Sequence, residues 1–174
     1  MDRVKPLHKL LFILSFVLLA TSWIVAIYYW DKLPNVIPTH FGPNGMPDVW
    51  NEKSIFYVFL LPFIQTIMFL VFIFLYYKPQ YSNMPTTLWL TTLDEKKKDH
   101  AFNLIRTMHT IILTWVNIFF AYIVLEMNRS SLNNTGLNPW IMIFMVAIML
   151  SYLIYWNIII YKKTIKEIKN DCKN

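Results

Sequence analysis

The stretch LFILSFVLLATSWIVAIYYW, residues 11–30, carries no charge over twenty positions and decides the class of this fold. A run of that length, wound as a helix, crosses about 30 Å of hydrocarbon, for which roughly 20 residues suffice. Three more uncharged blocks follow, at 54–77, 107–125 and 139–161. Barrel strands alternate in and out, and these blocks do not; in lipid, the helix is then the form that satisfies every backbone N–H and C=O. The expectation is an all-α, integral-membrane four-helix bundle, a single membrane domain over residues 1–174, with one structured extracellular loop at 31–53.

Composition agrees with this choice. Hydrophobic residues make up 56% of the chain and aromatic residues 17%, against three glycines, which is more apolar matter than the interior of a soluble domain of 174 residues can hold. Arg3, Lys5 and Lys9 before the first block imitate the start of a signal peptide. The apolar run is too long for that, no small-x-small cleavage site follows it, and the block reads as a retained helix.

Orientation follows from the basic residues. Arg3, Lys5, Lys9, then Lys78, Lys96, Lys97, Lys98, Arg106, then Lys162, Lys163, Lys166, Lys169 and Lys173 all fall on one side, leaving Lys32, Lys53 and Arg129 on the other. Thirteen of the sixteen basic residues on the side of both termini predict cytoplasmic N and C termini in a multi-pass protein of the cell membrane. The net charge of +6 is therefore topogenic charge facing anionic lipid, and nucleic acid is not an expected partner. Tyr28, Tyr29, Trp30, Tyr57 and Trp140 mark the outer interface, Tyr76, Tyr77, Trp89 and Tyr161 the inner one. The lone Cys172 lies in the cytoplasmic tail, so no intrachain disulfide staples the loop.

Of the connections, 78–106 is the larger cytoplasmic piece. Thr92-Leu-Asp-Glu95 has the form of a capping box, and a helix begun there runs straight into the third span, with Asp94 and Lys98 as an i,i+4 pair. Residues 127–138 read as a simple outer turn, with formal sequons at Asn128 and Asn133. Pro62 is expected to kink the second span. Gln65 and Asn117 lie near mid-depth, where polar groups are costly; they suit either an interhelical hydrogen bond or a polar substrate path.

The loop is the informative segment: DKLPNVIPTHFGPNGMPDVWNEK, residues 31–53. Pro34, Pro38, Pro43 and Pro47 fix φ at four places, and Pro43-Asn44-Gly45 has tight-turn chemistry. Such a loop orders at low entropic cost, as a compact cap with Ile37, Phe41, Met46 and Trp50 free to pack on helix ends or enter the interface. His40 and Asp48 suit several roles. They can satisfy backbone groups and close the loop on each other. With Glu52 and Asp31 they fall short of a zinc ligand set, so no metal is expected. An imidazole titrates near neutrality and suits a pH sensor.

Leu33, Pro34, Ile37, Pro38, Thr39, His40, Phe41, Gly45, Pro47, Asp48, Trp50 and Lys53 together resemble the mark of a bacterial family of small membrane proteins: Leu-Pro, Ile-Pro-x-His-Phe, Gly-x-Pro-Asp, then Trp and Lys. The resemblance extends over the first three spans, and the family's domain is largely of unknown function. It implies kinship with the immunity and signalling protein that protects bacilli from the toxin controlling delay of sporulation and that holds a transcriptional repressor at the membrane. That relative carries a further helical domain, which is not found after the fourth span here.

Catalysis is not expected, since no paired intramembrane carboxylates, nucleophile elbow or phosphate-cradling glycine loop is present. No cofactor is expected either. The function expected is binding: immunity or signalling against an exported peptide or toxin, with Pro38, Thr39, His40, Phe41, Gly45, Pro47, Asp48 and Trp50 binding the ligand or shaping the loop. Beside the lipid bilayer, a peptide toxin and a second copy of the chain are the partners that fit. The alternative is a small transporter or channel-like subunit with Gln65 and Asn117 as its polar midplane site.

Overall fold

The computed structural model describes residues 5–82 and 95–171. Helix α1 spans Pro6–Trp30, strand β1 Val36–Phe41, strand β2 Pro47–Glu52, helix α2 Ile55–Tyr77, helix α3 Glu95–Asn133 and helix α4 Pro139–Asp171; a 3-10 turn, Pro79–Tyr81, follows α2. All four helices are long and apolar enough to cross a membrane, and together they form an all-α four-helix bundle. The capping box at Thr92 and the Asp94 pairing, like Trp89 and Cys172, lie outside the described residues. Lys98 instead reaches Glu95, at 2.9 Å.

The helices start and stop for local reasons. Pro6 occupies the first turn of α1, where its missing N–H costs nothing. Ser54 caps α2 by accepting from the Tyr57 amide. Asn138 caps α4 by accepting from the amides of Trp140 and Ile141, with Pro139 following. Asn134, at φ 50, supplies the left-handed residue that ends α3. Pro62 sits buried within α2 without ending the helix.

Helix α3 is the centre of the bundle: half of its most apolar stretch is buried, against 6% for α4. Lipid tails are as apolar as leucine, so close packing and hydrogen bonds, not hydrophobic exclusion, hold such helices together. Helix α1 meets α3 through buried small residues, Ser15, Ser22 and Ala26, around Leu19. Ser15 and Thr114 hydroxyls lie 3.0 Å apart, and Trp23 Nε1 donates to Thr66 of α2 at 3.0 Å. Towards the end that holds the termini, His8 bridges Tyr76 Oη and Thr107 Oγ1, both at 3.0 Å. Thr107 gives its own proton to the Asn103 carbonyl, so it accepts from His8 Nε2–H, and His8 Nδ1 accepts from Tyr76. A buried cluster of Ala101, Ile105, Met108, Ile112 and Val116 on α3 with Ile160 on α4 fills the other side. Trp115 Nε1 ties the pair by donating to the Met145 carbonyl at 3.0 Å.

At the opposite end, loop 31–53 is a two-stranded antiparallel hairpin. The sequence predicts a compact cap there but no strands, because four prolines mask the pairing pattern. Pro38 is tolerated because it stands opposite Trp50, between the hydrogen-bonded pairs, where its missing N–H would point away from β2. The connection after the third span also differs from the simple turn expected over 127–138, since α3 continues helically to Asn133. Asn128 and Ser131 bond back to the carbonyls of Val124 and Met127, and the hairpin supplies that extra length with something to pack against. Asn128 is consequently buried, whereas Asn133 is exposed.

Candidate functional site

The hairpin is built on its turn. The Gly45 amide donates to the Gly42 carbonyl and the Gly42 amide to Met46, both at 2.8 Å. Pro43 at the second position and Asn44 at negative φ make a type I turn, and Gly45 at φ 79 adds the left-handed bulge residue that joins such a turn to its strand. The Asn44 side chain accepts from the Met46 amide at 2.9 Å.

Strand pairing runs Val36 with Glu52, Ile37 with Asn51 and Pro38 with Trp50, then shifts on either side of His40, which faces Val49. Thr39 on β1 and Asp48 on β2 are the extra residues of the two shifts. Bulges of this kind re-aim side chains, and here His40 Nδ1 comes to 2.5 Å from Asp48 Oδ1. A carboxylate only accepts, so Nδ1 carries the proton and Nε2 is left without a partner. Gly42 lies beneath the carboxylate: a Cβ there would sit 3.2 Å from Asp48 Oδ2. Asn51 donates to Thr39 Oγ1 at 2.5 Å. The His40 and Asp48 side chains are 66% and 48% exposed, so water screens the pair and its contribution to stability is about 0–1 kcal/mol.

Three anchors hold the hairpin. Ile37 and Pro38 are buried, and with Leu33 they close over Val124, Met127 and Ser131, leaving a cavity of about 20 Å³, room for one water. Lys53 donates to the carbonyls of Trp30 and Leu33 at 3.2 and 3.1 Å, so its charge caps the C-terminal end of α1. The Leu137 amide donates to the Gly45 carbonyl at 2.8 Å, fastening the turn to the connection between α3 and α4. That approach demands glycine twice. A Cβ on Gly45 would lie 2.0 Å from the Leu137 carbonyl oxygen, and one on Gly136 2.7 Å from that of Gly45.

Of the residues singled out from sequence, Thr39, His40 and Asp48 meet in the hairpin, Pro38 and Gly45 are buried where it docks, and Phe41 and Pro47 are half-buried at the ends of the ladder. Trp50 and Met46 are exposed. Gln65 and Asn117 stand apart in the bundle, both fully buried, with Gln65 Nε2 donating to Asn117 Oδ1 at 2.8 Å. Asn117 in turn donates to the Leu113 carbonyl, and Gln65 Oε1 has no partner. Among the described residues no three His, Cys, Asp or Glu side chains gather as a metal site. Sequence reasoning missed Gly136 and Leu137. Gly136 is the one glycine outside the loop in a chain with three, a usable sign of a close backbone contact.

Residues 17–66 match the family described as a domain of unknown function, DUF1648; the matched segment takes in much of α1, the whole hairpin and the first half of α2. No curated protein and no solved structure matches the chain.

Proposed function

We propose that this is a non-catalytic, multi-pass protein of a bacterial cell membrane whose outer hairpin recognises or excludes an exported, membrane-active peptide, giving self-protection or passing a signal inward. The observation that carries the reading is the contrast between a hairpin anchored at three places and the groups it leaves uncovered: His40 with Asp48, and Val49 and Trp50 beside them. The exposure of the pair leaves His40 Nε2, which has no partner within the hairpin, open to a ligand. Preorganisation spares a ligand the cost of ordering its receptor, and the bilayer edge is where an amphipathic peptide must pass. The charge asymmetry of thirteen basic residues against three supports an outward-facing hairpin and cytoplasmic termini.

The test is survival of a host lacking the gene in its own culture supernatant, complemented with wild type or with His40→Ala. Death of the deletion strain, prevented by wild type and not by His40→Ala, is the expected outcome. Equal survival of all three overturns self-protection.

A transporter or channel-like subunit is the second reading, and the unpartnered, buried Gln65 Oε1 is the observation in its favour. Substrate flux abolished by Gln65→Ala would establish it over the first.

A further inference from the structure

The two strands of the hairpin differ in what covers them. Strand β1 rests on α3, while β2 packs mainly on β1 among the described residues and exposes Asp48, Val49, Trp50 and Glu52. Its far edge is therefore open, and the ladder says which groups stand on it. The Lys53 amide donates to the Asn35 carbonyl at 2.8 Å, and pairing continues as Val36 with Glu52, Ile37 with Asn51 and Pro38 with Trp50. In an antiparallel pair, hydrogen-bonded positions alternate with non-bonded ones. Asn35 with Lys53 and Ile37 with Asn51 are the bonded pairs, so the N–H and C=O groups of Trp50 and Glu52 point outward.

An open edge is a template for another strand, and proteins ordinarily blunt it with lysine, proline or a covering segment. Here the only proline of β2, Pro47, stands at its first position. The nearest lysine, Lys53, is turned inward to the carbonyls of Trp30 and Leu33. The charges left along the strand are the carboxylates of Asp48 and Glu52.

We propose that the free edge of β2 is a strand-addition site for an extended, basic peptide segment. The added strand would bond to the main chain of Trp50 and Glu52, its cationic side chains on the face that carries Trp50 and Glu52, where an aromatic ring and a carboxylate both attract them, and its apolar ones on the face of Val49 and Asn51. Strand addition draws affinity from the main chain and specificity from alternate side chains. A second copy of the chain fits less well, because its own β2 brings the same two carboxylates against these. The inference rests on the peptide-recognition reading above and specifies how that recognition is made.

The experiment uses the full chain in phosphatidylcholine nanodiscs and a fluorescent, end-blocked peptide of alternating Lys and Val, followed by anisotropy. Saturable binding is expected, weakened about tenfold or more when alternate peptide nitrogens on the pairing edge are methylated. Glu52→Gln removes a charge and keeps the N–H; Glu52→Pro removes both and is expected to weaken binding further. Glu52→Lys is expected to shift preference towards an alternating Glu-Val peptide. Glu52 is exposed, so these variants leave the anchored face untouched. No binding of the Lys-Val peptide, equal binding of its methylated form, or indifference to Glu52→Lys overturns the proposal. So do dimers of the chain that Glu52→Pro disperses, with no peptide bound. Protection in the supernatant assay together with any of these results leaves the recognition reading standing without strand addition. Peptide binding as expected, with no effect of the deletion on survival, does the reverse.

Discussion

Leu137 donates its backbone amide to the carbonyl of Gly45 across 2.8 Å, so the turn of the hairpin is fastened by main chain to a connection far along the sequence. Substitution at either glycine of this junction is the direct test. Gly45→Ala brings a Cβ onto the Leu137 oxygen at a φ of 79, and Gly136→Ala crowds the Gly45 oxygen. The left-handed conformation alone costs a side chain about 1–2 kcal/mol. Both variants are expected to lower the thermal midpoint and open the turn to protease, with helicity by circular dichroism unchanged. Wild-type protease resistance in both would refute the clasp.

The His40 and Asp48 pair is expected to behave oppositely. His40→Ala and Asp48→Asn should each change stability by less than about 1 kcal/mol, since both groups face water. A larger loss, measured by unfolding of the purified protein in detergent, would make the pair a structural staple and remove its claim to recognition.

Gln65 and Asn117 are expected to couple. Gln65→Leu and Asn117→Leu should each destabilise the bundle, and the double variant by less than their sum. The coupling should be about 0.6 kcal/mol, as for polar pairs between membrane helices. A double-mutant cycle with no coupling would mean that the two amides do not bond each other.

Orientation can be read with the single cysteine. A membrane-impermeant maleimide added to intact cells should leave Cys172 unlabelled and should label Asn133→Cys in a Cys172→Ser background. The reverse pattern would invert the chain and put the hairpin in the cytoplasm.

The four helices were legible because each is a long uncharged run, a signal that survives without any knowledge of partners. The Gln65 to Asn117 bond was legible as one of two alternatives for the same reason, two costly amides at one depth. The strands were not: Pro38 and Pro47 argue against sheet, and only pairing shows that both stand where no ladder hydrogen is needed. His8 was passed over because it precedes the uncharged run, and nothing local announces that Tyr76 and Thr107 will close on it. The extension of α3 past residue 126 was hidden too, since Asn, Arg and Ser read as a turn until the Ile37 and Pro38 side chains give that helix end a surface to meet.

A helix of 39 residues at about 1.5 Å per residue is about 58 Å long, nearly twice the hydrocarbon it crosses. Helix α3 thus behaves as a mast: the hairpin leans on its top, α1, α2 and α4 are stayed against its shaft, and Glu95 to Arg106 form its foot. The head of that mast and its foot belong to one unbroken run of helix, so the surface that carries the hairpin and the surface at the opposite end share a single continuous backbone.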